Sequence, residues 1–200
     1  MSADKCSIDK LLLATGNAGK IREMRELLTP LGIELVTPAE LGIDLEVDEN
    51  GETFEDNARL KATAFCAASG LPSVADDSGL CVDALGGAPG VHSARYAEPG
   101  GRKRKLLENM ENTEQRAAKF VSSIVCAFPN GEELTATGEC CGEIAREPRG
   151  DGGFGYDPVF YMAEFGKTMA EMTDDEKNAV SHRGRAMREL VQKLKEYKVN

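Results

Sequence analysis

The chain has 200 residues, 41% of them apolar and 29% charged, the balance of a globular protein with room for one substantial core. Its 34 acidic residues against 24 basic ones give a net charge of −10, which argues against broad electrostatic binding to nucleic acid or to an anionic membrane. A small anionic ligand, held by a few placed cations and a metal, is compatible with that charge. No apolar run reaches the length of a membrane span, and residues 1–9 are too polar for a signal peptide. The six cysteines include no Cys-x-x-Cys pair, so neither a disulfide framework nor a zinc site is indicated, and reduced thiols in the cytoplasm are expected. With only His92 and His182, a multi-histidine metal centre has no ligands.

In chain order, Leu11-Leu12-Leu13-Ala14 reads as a buried strand. Thr15, Gly16, Asn17, Ala18, Gly19 and Lys20 follow as a turn, and Ile21, Met24, Leu27 and Leu28 then share one face of a helix that ends at Pro30. A strand, a glycine-containing turn and a helix start together form an anion site, because backbone N–H groups and the helix dipole face the turn and Lys20 adds a full charge. A Walker P-loop would need Gly at Ala14 and Ser or Thr at Ile21. A plain capped turn is the alternative reading.

Residues 33–36 suggest a second strand. Glu46, Asp48 and Glu49 cluster ahead of Gly51, and Thr53 with Asp56 predicts a capping box for a helix stopping at Gly70. The acidic loop reads either as a solvated helix entrance or as the source of a second metal ligand. Val74-Ala75 is predicted as a short buried strand with Asp76, Asp77, Ser78 and Gly79 at its end. At the carboxyl end of a strand such side chains reach a ligand crevice. Adjacent residues face opposite sides, so the two acids have different tasks. A divalent cation is the simplest compensator for paired carboxylates, and a glycine-bent turn is the bland alternative.

Dense glycine and proline over residues 86–96 predict a shaped loop, in which Arg95 serves a salt bridge or a phosphate. Arg102-Lys103-Arg104-Lys105 starts a short helix with a solvated face. Residues 120–128 and 134–141 read as a hairpin turning at Asn130-Gly131, assigned to scaffold or a subunit interface. Phe154, Gly155, Tyr156 and Asp157 lie in a glycine-rich loop before a strand at 159–161, where the aromatics either stack on a planar base or pack into the core. Met187, Leu190, Val191 and Leu194 make the stripe of the last helix, preceded by Lys177, Asn178, Ser181, His182 and Arg183. No serine or cysteine has a recognisable base partner, so no acyl-transfer triad is indicated.

Four segments, residues 15–20, 75–79 continuing through 86–96, 152–158 and 177–184, together resemble the Ham1/RdgB-type inosine triphosphate pyrophosphatases, over about residues 11–194. The resemblance implies an α/β fold, elongated and two-lobed around a central mixed β-sheet with flanking helices, with the active-site cleft between the lobes. It leaves residues 1–9 as an N-terminal extension to a single domain over 10–200. It also implies a cytoplasmic homodimer and Mg²⁺-dependent hydrolysis of ITP, dITP and XTP to the monophosphate and pyrophosphate. By position, Thr15, Gly16, Asn17, Ala18, Gly19 and Lys20 match the triphosphate turn. Asp77 matches the proton acceptor and metal ligand, and Ser78 a substrate contact. Phe154, Gly155, Tyr156 and Asp157 match the base loop; Lys177, His182 and Arg183 match further substrate contacts. Asp48, with Glu49 second, is expected to supply the other metal carboxylate. His92, where relatives often carry Tyr, has no catalytic role assigned. A Maf-type pyrophosphatase and a non-catalytic purine-nucleotide-binding module are the alternative functions.

Overall fold

The computed structural model describes residues 8–199, so residues 1–7 of the expected extension lie outside the described residues. Ile8, assigned from sequence to that extension, is only 3% exposed and packs in the core. β1 (Lys10–Leu13) buries three consecutive leucines, as a strand covered on both faces must. The turn then leads into α1 (Ala18–Leu28), where Met24 and Leu28 are buried at i, i+4 spacing. β2 (Glu34–Val36) runs parallel to β1, with Leu11 opposite Leu35. α2 (Phe54–Ser69) begins with the predicted capping box of Thr53 and Asp56, and it stops at Gly70, whose φ of +68° suits glycine.

β3 (Ser73–Val82) corrects the sequence expectation: it does not end at the paired acids but runs straight through Asp76, Asp77, Ser78 and Gly79. The reason lies in its neighbours. β1 pairs with it only as far as Leu13 opposite Val74, so past that point the β1 side of the strand opens beside the turn. On its other side β3 adjoins β4 (Ala117–Ala127), which keeps the backbone extended despite local turn chemistry.

β4 and β5 (Glu133–Ile144) form the predicted hairpin, with Gly131 at φ +87° in its turn. The contacts Lys119–Glu139, Ser123–Thr137 and Phe128–Glu132 run in opposite senses along the two strands, which makes the pair antiparallel. β6 (Phe160–Met162) and β7 (Lys167–Thr168) add two antiparallel strands, giving a mixed seven-stranded sheet in the order β2-β1-β3-β4-β5-β6-β7. α3 (Arg102–Asn109) precedes β4.

The polar segment before the last helix is itself helical: α4 (Asp174–Val180) is capped by Thr173 and Glu176, and the chain breaks at Ser181 before α5 (His182–Val199). The Ser181 hydroxyl accepts the Gly184 amide at 3.0 Å. A Cβ at Gly184 would collide with the carbonyl of Asn178, so α5 approaches α4 by lacking a side chain there. Gly184→Ala is expected to cost about 1–3 kcal/mol, read as a lower denaturant midpoint.

The chain divides into two compact units. The first comprises residues up to 77 with 123–137 and those from 186 onward. Its core lies in two groups: Leu11, Leu13, Met24, Ile124, Met187 and Leu190 in one, Leu12, Ala58, Ala62, Phe65 and Val125 in the other. The second comprises 78–122 and 138–185, with Leu80, Leu106, Phe120, Tyr156, Phe160 and Met169 at its centre.

Candidate active site

In the first unit the turn after β1 is shaped by its own side chains. Thr15 Oγ1 accepts the Asn17 amide at 3.2 Å, and Asn17 Oδ1 caps α1 by accepting the Lys20 amide at 3.1 Å. These bonds leave the amides of Gly16, Ala18 and Gly19 at an exposed helix start, positioned for an anion. Lys20 reaches back to β3, with Nζ 3.0 Å from the Asp76 carboxylate and 3.1 Å from the Asp76 carbonyl.

Asp76 and Asp77 are both buried, at 1% and 8% exposure, and each has its own lysine. Lys20 serves Asp76. Lys61, on α2, holds Asp77 Oδ1 at 3.2 Å and Glu49 Oε2 at 2.9 Å. Burial pushes the Asp77 carboxyl above the ordinary aspartate range, a trend that Lys61 and Lys20 oppose and Glu49 and Asp76 reinforce. Glu49 moves the other way: burial would raise it, but Lys61 and a hydrogen bond from Asp77 hold it below the usual glutamate range. Burial also works to lower Lys61, yet the facing carboxylates of Asp77 and Glu49 keep its ammonium above the usual lysine range. Two neighbouring carboxyls are thus driven apart, Asp77 upwards and Glu49 downwards.

The second unit gathers a different set. Arg183, only 2% exposed, donates from Nη2 to Ser78 Oγ at 2.9 Å. Lys177 and Asp157 form a buried pair at 2.8 Å, and Asp157 Oδ2 also accepts the Phe154 amide at 2.7 Å. The half-buried Phe154 ring has Lys177 Nζ 4.7 Å and Arg183 Cζ 5.5 Å from its centroid. Gly155, at φ +64°, lets the loop turn after that ring.

The remaining residues expected at the site have these surroundings. Tyr156 is buried in the second core and donates its hydroxyl to the Ser93 carbonyl at 3.0 Å, and burial pushes its pKa up to about 12. His182 stacks on Phe120, ring centroids 4.7 Å apart and 13° from coplanar. Asp48 is exposed, whereas its neighbour Glu49 turns towards Lys61. Arg95 is exposed and donates to His92 Nδ1 at 3.3 Å.

Lys61 and Asn57 were not anticipated. A signal for both existed: the buried stripe of α2 runs Asn57, Ala58, Ala62, Phe65, Cys66 with the half-buried Lys61 on the same face, and two polar residues on an apolar stripe call for partners across it.

Amide donors and a lysine at a strand-to-helix turn, beside paired buried acids, are the equipment of an α/β protein that handles phosphate esters. More narrowly, the chain belongs to the Ham1 family, whose profile matches residues 11–193. It is 50% identical to the dITP/XTP pyrophosphatase of Aquifex aeolicus, covering 93% of this chain and 96% of the relative. It is likewise 50% identical to the enzyme of that name from Thermus thermophilus, covering 94% and 92%. Among solved structures, a HAM1 protein from Coxiella burnetii superposes with a TM-score of 0.85 at 42% identity, covering 94% of this chain and 98% of that one. The Staphylococcus aureus Ham1 protein gives 0.84 at 39% identity, with 93% and 98% covered.

Proposed function

We propose that this chain hydrolyses non-canonical purine nucleoside triphosphates, ITP, dITP and XTP, to the monophosphate and pyrophosphate, with Asp77 as the base. The observation that carries the reading is the buried Asp77 carboxyl, lifted by burial and held between Lys61 and Asn57 beside the anion turn. The names of the curated relatives support the substrate class.

Glu49 and Asp77 would hold a divalent cation. An ammonium already lies within 3.2 Å of both, so the pair suits positive charge. Two carboxylates are the protein complement magnesium takes when phosphate oxygens and water supply the rest. Magnesium, when bound, neutralises phosphate charge and polarises the anhydride. Glu49 therefore replaces Asp48 as our choice of second ligand.

Pyrophosphate release breaks the bridge between the α- and β-phosphorus; water attacking the α-phosphorus makes pyrophosphate the leaving group. Asp77 accepts the proton of the attacking water, while Lys20 and the amides of Gly16, Ala18 and Gly19 hold the outer phosphates and stabilise the leaving group. In the second unit, Phe154 offers its ring to the base. Arg183 donates towards the oxygen at position six of hypoxanthine or xanthine, where adenine presents an amino group. Ser78 keeps Arg183 in place. Tyr156 and His182 support this region through Ser93 and Phe120 rather than by facing the ligand.

We further propose a homodimer acting in the cytoplasm, as the resemblance implies; among the described residues no helix is long and apolar enough to cross a membrane. Incubation with ITP and Mg²⁺ followed by product analysis tests the reaction. Pyrophosphate and IMP are expected; IDP and inorganic phosphate would remove the α-phosphorus from the reading.

A further inference from the structure

Asn57 is 1% exposed, near the start of α2, and its side chain bonds in two directions. Its Oδ1 accepts the backbone amide of Gly51 at 2.8 Å, and its Nδ2 donates to Asp77 Oδ2 at 3.4 Å. The orientation is chemically determined. The Gly51 amide can only donate, so the atom facing it is the oxygen and the atom facing Asp77 is the NH₂. Gly51 is fitted to this contact, since a Cβ there would stand 2.5 Å from Asp56 Cβ and 2.9 Å from Asn57 Oδ1.

We propose that Asn57 is a positioning residue that ties the acidic loop carrying Glu49 to Asp77 and fixes the rotation of the Asp77 carboxylate. One turn further along α2, Lys61 approaches Asp77 Oδ1 while Asn57 approaches Oδ2, so two donors at i, i+4 spacing define the carboxylate plane. Lys61 also bonds Glu49, two residues before Gly51, so the loop is held at both points by the same helix. A neutral amide suits the task. It satisfies a buried amide and a buried carboxylate at once without adding a third charge to the pair.

This inference rests on the assignment of Asp77 as the base, and two substitutions separate its halves. Asn57→Asp keeps an acceptor for Gly51 but replaces the donor at Asp77 with a like charge. Asn57→Ala removes both bonds, and Asn57→Ser stands in should the alanine variant not fold. Amide exchange at Gly51 and steady-state kinetics on ITP with Mg²⁺ are measured together. In the alanine variant Gly51 exchange is expected to rise by about tenfold or more. In the aspartate variant Gly51 exchange should stay near the parent's, while kcat falls about 10- to 100-fold, as for residues that orient a site carboxylate. KM should change by less than about threefold. Parental kcat in Asn57→Asp, or unchanged Gly51 exchange in Asn57→Ala, would overturn the proposal. A parent protein inactive on ITP would instead refute the functional reading, and Gly51 exchange would still decide whether Asn57 ties the loop.

Discussion

Asparagine in place of Asp77 is expected to lower kcat on ITP by about 10²- to 10⁴-fold, the usual worth of a positioned base, while the nucleotide still binds. The substitution is nearly isosteric and removes a charge that burial already disfavours; it also turns an NH₂ group towards Lys61 or Asn57, a loss of about 1–3 kcal/mol that urea unfolding of the variant reads alongside the kinetics. Lys61 keeps Glu49 as a partner, and Lys20, which meets the phosphates, keeps Asp76, so both cations stay in place. Turnover and binding therefore separate. Titration calorimetry with ITP should give a dissociation constant within about tenfold of the parent's, a difference of about 1.4 kcal/mol or less. Turnover within about tenfold of the parent would mean that another group takes the proton.

The second large effect concerns stability. Lys177 and Asp157 are a buried pair, with side chains 4% and 5% exposed, and Asp157 also accepts the Phe154 amide. Lys177→Met leaves the Asp157 carboxylate buried without its ammonium, and removing one member of such a pair typically costs about 3–5 kcal/mol. Asp157→Asn added to Lys177→Met retains an acceptor for the Phe154 amide and deletes the stranded charge, so the double variant should recover most of the loss. Urea unfolding of the two singles and the double, read as a thermodynamic cycle, checks this. Equal midpoints for Lys177→Met and the parent would show that the pair contributes nothing net to folding.

What the sequence made legible follows from how local each signal is. The capping box at Thr53, the stop at Gly70 and the hairpin at Asn130-Gly131 depend on neighbours within a few residues, and they stand in the fold as predicted. The length of β3 does not. Asp-Asp-Ser-Gly carries the local chemistry of a turn, and only the adjoining β4 keeps it extended. The turn of residues 15–20 was readable because strand, glycine and helix lie next to one another in the chain. The partners of Asp77 were not, since Lys61 and Asn57 lie sixteen and twenty residues away and meet it only through the placement of α2 against β3. Glu49 and Asp48 differ by one position in a loop with no periodicity, so their burial could be separated only in three dimensions. For Tyr156 the sequence left stacking on a base and core packing open, because aromatic rings serve both with the same chemistry; in the fold its ring is buried and its hydroxyl bonds the Ser93 carbonyl.

The ammonium of Lys61 has a consequence for how the protein exists between encounters with substrate. Tethered by its own carbon chain to α2, it behaves as a built-in placeholder that balances Asp77 and Glu49 whatever the surrounding ion supply. A newly made chain can therefore bring these acids together at once, without waiting to recruit a mineral partner.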